Sequence, residues 1–268
     1  MARTSSFDSP RSESRNRLAL AGWRAPRAGL AYGFLDVDLS EAEEWCREAG
    51  VTLPQLAGAA LGRGLAAVPE LNGRIVLGRV RPRPAVDVSF AVATGRGGHL
   101  TAVLIRDADR KHPRELAREL LAAARTARRD DEHGLSRAVR VADRMPRLLL
   151  RPGLALAGWL TSGLGRPLRP LGLSAHPFGS ALVSAVGTFG VDRALAPLLP
   201  FARVSCVLTV GLPTWQPRVV DGEIVPRRMA AIGVTVDHRL VDGAQGARFG
   251  EVVRSTIERP HEAWPDGS

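Results

Sequence analysis

The sequence predicts an α/β fold, because short apolar runs typical of strands are interspersed with stretches of helical periodicity. No internal repeat is visible along the chain. The 268 residues are 45% hydrophobic, which is enough to bury a large core as one big domain or two small ones.

The first half of the chain provides three predicted strands and two predicted helices. Tyr32–Leu39 alternates as a strand does, and the apolar positions of Pro54–Ala67 recur near the helical period until Pro69 follows. Two further strands are predicted at Val86–Ala93 and Thr101–Ile105. An amphipathic helix is then predicted over Pro113–Arg128.

The second half ends in the clearest strand and helix of the chain. Strands are predicted near Ala181–Ala185 and Val204–Val210. A hairpin turn at Asp221-Gly222 precedes the long apolar run Met229–Val236. The final helix is predicted from Gly243 to Ile257.

The composition argues against a nucleic-acid-binding protein despite a formal net charge of +10. The basic residues are almost all arginine, Lys111 is the only lysine, and the arginines are scattered. Tyr32 is the only tyrosine, so a stacking platform for bases is not expected. A solvated basic surface is therefore predicted, which still allows attraction of acidic ligands such as a CoA diphosphate.

The cysteines and the first residues give no sign of a metal site or of export. Cys46 and Cys206 have no metal-ligand spacing, and Cys206 lies in an apolar run where a reduced, buried thiol is expected. Met1–Arg17 is rich in Ser, Arg and Asp without an apolar core. This segment is interpreted as a disordered arm rather than a secretory signal, which favours a cytoplasmic protein.

The segment Asp237–Gly243 carries the strongest chemical signal. His238 follows a predicted buried strand, and Asp242 stands four positions later at the predicted start of a helix. An imidazole held at a strand end suits a general base, and a carboxylate at a helix start suits a cap.

The segment resembles the signature of the dihydrolipoyl acyltransferases, the core subunits of 2-oxo acid dehydrogenase complexes. Its HxxxDG kernel is shared with chloramphenicol acetyltransferase and with peptide-synthetase condensation domains. Further blocks resemble the family in the same order, namely Phe34–Asp38, Val68–Asn72, Val86–Thr94, Ile105–Lys111 and Thr188–Asp192. The resemblance implies one acyltransferase domain over residues 18–268, with a chloramphenicol acetyltransferase-like mixed-sheet sandwich and flanking helices. It also implies trimers, or larger assemblies of them, with the active site in a channel between neighbouring subunits.

The resemblance also implies the roles of three residues in a CoA-dependent acyl transfer. His238 would be the base that activates the incoming thiol, so that the two substrates react directly without a covalent enzyme intermediate. Ser184 would donate to the oxyanion, although Leu182 and Ala185 depart from the family pattern around it. Asp242 would hold the histidine loop through an arginine partner, for which Arg15 and Arg17 are candidates.

Two features depart from the family. No lysine precedes Lys111, so no lipoyl-lysine is expected upstream, and the acceptor would be a lipoyl domain supplied by another chain or another nucleophile. Residues 130–177 form an apolar, arginine-rich insert whose apolar run is interrupted at Arg151-Pro152. Residues 144–170 could contact a membrane surface, cover the channel, build an acyl pocket or pack on their own domain.

Two rival functions remain open at this stage. The chain could be a non-catalytic trimeric scaffold with the same fold, or a peripheral membrane adaptor built around the insert. The presence of both His238 and Asp242 favours an enzyme, whereas the degraded pattern around Ser184 favours a scaffold.

Overall fold

The computed structural model describes residue 21 and residues 29–94, 99–132, 141 and 144–265. Its strands are β1 Leu30–Asp38, β2 Gly73–Val76, β3 Arg79–Pro82, β4 Val88–Thr94, β5 His99–Ile105, β6 Ala181–Ser184, β7 Cys206–Val210, β8 Thr214–Val220 and β9 Glu223–Asp237. Its α-helices are α1 Ala42–Ala49, α2 Leu53–Ala67, α3 Pro113–Glu132, α4 Arg147–Gly158, α5 Gly243–Glu258 and α6 Pro260–Ala263.

One mixed sheet organises the domain. Its strand order is β1-β9-β7-β6-β4-β5, and β8 pairs with the first part of β9. The central strands β4, β6 and β7 are parallel, whereas β9 runs antiparallel to β7, β8 and β1. The strands β2 and β3 form a separate two-stranded hairpin. The predicted mixed α/β architecture is therefore confirmed.

The main core lies where the helices pack on this sheet. The largest side chains that are buried almost completely are Val37, Leu39, Leu56, Leu61, Leu65, Leu71, Ile105, Leu116, Leu208, Ile232, Phe249 and Ile257. Helices α2 and α5 approach closely because Gly64 has no side chain, since a Cβ there would lie 2.9 Å from both Phe249 and Val253. A second cluster, around Val204 and Val207, packs with Phe178, Leu182 and Phe201.

A buried polar contact fixes the start of β6. The Ser180 hydroxyl donates to Asn72 Oδ1 at 2.5 Å, and Asn72 Nδ2 donates to the carbonyl of Ala85 at 3.2 Å. Gly179 just before it has φ +63°, and a Cβ there would lie 2.4 Å from the Asp87 carbonyl oxygen. Glycine is therefore required at position 179 by both conformation and space.

The described part of the insert is helical and packs on its own domain. Helix α4 continues through Pro152 into a π-helical turn at Trp159–Gly163, so the proline does not end the helix. Gly158 allows close contact with Phe201, whose carbonyl oxygen would lie 2.5 Å from an added Cβ. Within the described residues, no helix has both the length and the apolar character needed to cross a membrane.

Every strand and helix named in the sequence analysis is present, with ends that shift by a few residues. The hairpin turn at Asp221-Gly222 is confirmed, and both of its residues have positive φ. The β2–β3 hairpin was not predicted. The predicted arm Met1–Arg17 lies outside the described residues.

Candidate active site

His238 follows the last residue of β9 and begins the turn that leads into α5. Its backbone N–H donates to the carbonyl of Gly29 at 2.9 Å, which ties the turn to the chain before β1. The residues Ala230–Asp237 before it are buried, whereas the side chain of His238 is exposed. A buried strand thus ends by presenting one imidazole at the protein surface.

Asp237 and Arg239, the residues on either side of His238, form an ion pair that restrains the backbone of this turn. The Asp237 carboxylate accepts from Arg239 Nε at 2.9 Å, from Arg239 Nη2 at 2.6 Å and from the Arg239 backbone N–H at 3.1 Å. Asp237 is buried, and its hydrogen bonds to Arg239 raise the pKa of that guanidinium. A two-pronged pair of this kind fixes geometry as well as charge, so it restricts the His238 turn.

Asp242 caps α5, as the sequence predicts. Its carboxylate accepts the backbone N–H of Gln245 at 3.0 Å, and the Gln245 side chain accepts the backbone N–H of Asp242 at 3.0 Å. This reciprocal pair satisfies two amide groups at the helix start. No arginine that the structure describes forms an ion pair with Asp242. The candidates Arg15 and Arg17 lie outside the described residues.

Ser184 is the last residue of β6 and is half-buried. It lies in register between Ala91 of β4 and Thr209 of β7. The residue lines a cavity of about 360 Å³ whose walls are mostly apolar. Side chains from α3 and the sheet contribute to those walls, including Phe90, Val92, Leu120, Leu121 and Val183.

His238 and Ser184 lie at opposite ends of the sheet. The Asp237 N–H donates to Ser205, and the Ser205 N–H donates to Ser180, so the end of β9 is level with Ser180. Ser184 is four residues further along β6, or roughly 13 Å at the usual strand rise. The intervening strand β7 adds about 10 Å sideways. The two side chains therefore cannot act on the same atom within one copy of the chain.

The cysteines are not placed to act as nucleophiles. Both are free and buried. Burial raises the pKa of Cys46 to about 11 and raises the pKa of Cys206 further, so both thiols stay protonated at neutral pH. Among the described residues, no group of three His, Cys, Asp or Glu side chains is arranged to hold a metal ion.

Two features of the structure were not predicted. Arg239 was given no role, although the sequence Asp237-His238-Arg239 contains both partners of the ion pair. The prediction of a solvated basic surface is wrong for Arg83, because that side chain is only 7% exposed. The alternation Arg79-Val80-Arg81-Pro82-Arg83 was the signal for a strand with arginines along one side.

The chain is similar to known proteins over most of its length. The family model described as "2-oxoacid dehydrogenases acyltransferase (catalytic domain)" matches residues 37–133 and 176–264, well over half of the chain. A succinyltransferase component of the mitochondrial 2-oxoglutarate dehydrogenase complex of Arabidopsis thaliana is 25% identical over 192 residues, covering 72% of this chain and 32% of the relative. This chain spans between 18% and 32% of the length of three curated relatives that it matches.

Solved structures share the fold at low sequence identity. A probable dihydrolipoamide acetyltransferase from Listeria monocytogenes superposes with a TM-score of 0.65 and 17% identity, covering 97% of this chain and 95% of the other. A chloramphenicol acetyltransferase superposes with a TM-score of 0.51 and 14% identity, covering 93% and 96%. The fold is therefore that of chloramphenicol acetyltransferase. On the family match, the chain belongs to the catalytic-domain family of the 2-oxoacid dehydrogenase acyltransferases.

Proposed function

We propose that this chain transfers an acyl group between CoA and a thiol acceptor, with His238 as the general base. The observation that carries the proposal is the exposed imidazole on a turn held by Asp237, Arg239 and Gly29. A base must reach the proton that it removes and must also keep a fixed position. Membership of an acyltransferase family supplies the reaction type.

The reaction needs two proton transfers, one from the incoming thiol to His238 and one from His238 to the departing thiolate. The imidazole nitrogen of His238 accepts the proton of the incoming thiol, and the thiolate sulfur attacks the carbonyl carbon of the thioester. The electron pair of the C=O π bond moves onto the oxygen, which gives the tetrahedral intermediate. When this pair returns, the bond between the carbonyl carbon and the departing sulfur breaks. The departing thiolate takes the proton back from His238, so the enzyme returns to its first state.

The oxyanion of this intermediate needs a donor, and we assign that role to the Ser184 hydroxyl of a neighbouring copy. The opposite placement of His238 and Ser184 in one copy supports this arrangement, because one copy cannot bring both to the same carbonyl. Closed rings of identical chains place one surface against a different surface of the next copy. A homotrimer, or a larger assembly built from trimers, is therefore part of the proposal.

The apolar cavity next to Ser184 suits the acyl group. Its volume of about 360 Å³ and its apolar lining favour a hydrocarbon chain over a charged acyl group. Leu121 is 50% exposed at this cavity, so it would gain burial when the chain enters. Helix α3 and the sheet supply much of this lining, and none of the insert residues that the structure describes, which were one predicted source of an acyl pocket, contributes to it.

The acceptor would be a dihydrolipoyl group carried by a separate lipoyl domain. Lys111, the only lysine of the sequence, lies just before α3 and forms an ion pair with Glu119 of that helix. Its side chain is therefore bound within the acyltransferase domain. A carrier supplied in trans would meet the His238 turn from outside, which its exposure permits. A free dithiol should replace the carrier at higher concentration.

The test is acyl exchange from acetyl-CoA and from a branched-chain acyl-CoA to dihydrolipoamide. We expect His238→Ala to slow exchange by about 10²- to 10⁴-fold, the usual contribution of a general base. His261→Ala is the matched control, because His261 is an exposed histidine on α6. Equal activity in all three proteins would contradict His238 as the base, and no activity in any of them would favour the non-catalytic scaffold instead.

Contact with a membrane surface is a second candidate property, and a separate observation favours it. Leu148 is 90% exposed and Leu149 and Leu156 are each 56% exposed on α4, which also carries Arg151. Apolar side chains beside arginines suit an anionic lipid surface. We expect co-sedimentation with anionic liposomes at low salt, and loss of it in Leu148→Glu. Equal sedimentation with neutral liposomes would contradict this role.

A further inference from the structure

The β2–β3 hairpin carries arginines that face each other across its two strands. Arg74 of β2 lies directly opposite Arg81 of β3, and Val76 lies opposite Arg79. Arg79, Arg81 and Arg83 occupy alternate positions, so they share one side of the extended chain. Like charges directly opposite on a ladder destabilise it. This cationic hairpin needs a compensating partner.

His176 lies against two of these arginines and adds no charge of its own. Arg74 Nη1 lies 2.5 Å from Nε2 and 3.1 Å from Nδ1 of the His176 ring, and Arg83 Nη1 lies 3.5 Å from Nδ1. Burial, followed by the charges of Arg74 and Arg83, lowers the pKa of His176 to about 4. The ring is therefore neutral at pH 7 and can accept a hydrogen bond but cannot balance positive charge.

The buried side of the cluster has unmet hydrogen-bonding capacity. Arg83 is only 7% exposed, and its Nη2 donates to the Arg203 carbonyl at 2.6 Å. Among the described residues, no acceptor meets Arg83 Nε, Arg74 Nε or the Ser162 hydroxyl, although all three atoms are buried. Burial, followed by the charge of Arg74, lowers the pKa of Arg83 to about 10, and the Asp87 carboxylate opposes this shift only in part because it also holds Arg106 and the Asp107 N–H. A buried guanidinium such as that of Arg83, with so little counter-charge, is costly unless an anion completes the site.

A cavity of about 620 Å³ opens beside the hairpin. Arg74, Arg79 and Arg81 line one side of it, and Gly163 and Leu164 from the end of the π-helical turn line the other. The volume is in the range of small-molecule sites. Arginine is well suited to bind phosphate because its planar guanidinium donates two parallel hydrogen bonds.

The cluster is connected to the His238 turn. Arg203 Nη1 donates to the Ile75 carbonyl of β2 at 3.0 Å. Burial, followed by the charge of Arg239, lowers the pKa of Arg203, so the two guanidinium groups are close enough to repel each other. Leu240, two residues after His238, lies 3.5 Å from where a Cβ on Gly73 would be. A ligand held at the hairpin would therefore lie beside the turn that carries the base.

We propose that Arg74, Arg79 and Arg81, backed by Arg83, form a binding site for a phosphate group of the substrate. CoA is the phosphate-bearing ligand that the proposed function requires, so its identity as the source rests on that function. The site itself needs only a phosphate. His176 and the π-helical turn belong to the insert, which would give the insert a part in holding the acyl donor.

The experiment compares CoA, pantetheine (its phosphate-free thiol arm) and inorganic phosphate at constant ionic strength. We expect calorimetry to give Arg74→Gln and Arg81→Gln a CoA affinity about tenfold to a hundredfold below wild type, with pantetheine unchanged. Arg218→Gln is the control of equal charge, because Arg218 lies on the other hairpin, β8–β9. The readout is binding rather than turnover, so a failure of the proposed catalysis does not affect it.

The two sources of phosphate give different results. Inorganic phosphate should raise the thermal unfolding midpoint of the wild type and of Arg218→Gln, but not that of Arg74→Gln. If this happens while CoA affinity is the same in all variants, the phosphate site stands and CoA as its source is wrong. If neither phosphate nor CoA distinguishes Arg74→Gln from Arg218→Gln, the site itself is overturned.

Discussion

Asp237 and Arg239 form a two-pronged ion pair, with Oδ1···Nε at 2.9 Å and Oδ2···Nη2 at 2.6 Å, across the residue that carries the proposed base. The carboxylate side chain is 10% exposed and the guanidinium 49% exposed. The pair therefore combines a buried charge with a partner that solvent reaches. We interpret Arg239 as a positioning residue for His238.

Arg239→Ala should lower kcat more than it changes KM, because it loosens the turn without removing a substrate contact. The loss of hydrogen bonds to a buried charge should also lower the free energy of unfolding by about 1.5–3 kcal/mol. Arg106→Ala is the matched control, since Arg106 binds the buried Asp87 with a similar exposure of 57%. The control should keep its kcat. An unchanged kcat in Arg239→Ala would contradict the positioning role.

Asp242→Ala should lower the free energy of unfolding by about 1 kcal/mol, the usual cost of a lost helix cap. It should also slow acyl exchange, because the cap fixes the end of the His238 turn. Asparagine caps as well as aspartate, so Asp242→Asn should restore stability and most of the activity. If Asp242→Asn were as slow as Asp242→Ala at full stability, the charge of Asp242 would be needed and the cap alone would not explain its role.

A comparison of Gly179→Ala with Gly78→Ala separates the free-energy cost of backbone strain from the cost of steric crowding. Both glycines have positive φ, but an added Cβ meets the Asp87 carbonyl oxygen at 2.4 Å only at position 179, whereas nothing lies within 4 Å at position 78. We expect a cost of about 1–2 kcal/mol for Gly78→Ala and about 1–3 kcal/mol more for Gly179→Ala in denaturant unfolding. Equal costs would show that β6 can shift away from Asp87.

The stability of the protein should fall as the pH drops below about 6.5, and His176 should account for part of the fall. Burial and the charges of Arg74 and Arg83 lower the pKa of His176 from 6.5 to about 4. The unfolded chain then binds this proton more readily, so the stabilisation is complete above the unfolded pKa and is lost as the pH falls towards the folded pKa.

His176→Gln should therefore have a thermal unfolding midpoint that depends less on pH between about 5 and 6.5, where most carboxylates remain ionised. His261→Gln, at an exposed position on α6, should behave as the wild type does. Identical pH profiles for the wild type and His176→Gln would mean that the ring accepts a proton without disturbing the arginines.

The elements that the sequence predicts well are those with a strong apolar pattern. Residues 229–236 form one continuous apolar run in β9, and Asp242 precedes a helix with a matching glutamine three positions later. The β2–β3 hairpin was missed because its strands have only four residues each, and β3 alternates arginine with valine and proline and is fully exposed.

The cluster around His176 could not be predicted for a different reason. Arg83 and His176 are 93 residues apart, and no local pattern reports such a contact. The separation of His238 from Ser184 could not be predicted from the sequence either, because it depends on strand order and register rather than on the sequence neighbours of either residue. The residue types indicate the candidate chemistry, and the strand order is the basis for proposing that a second copy completes the site.

The most direct test of the central claim mixes two inactive variants. His238→Ala and Ser184→Ala should each lose most of the exchange activity when made alone. If the base and the oxyanion donor come from neighbouring copies, trimers assembled from both variants in equal amounts should recover about a quarter of the wild-type sites. A mixture as inactive as its components, with mixed trimers demonstrated, would contradict an active site shared between copies.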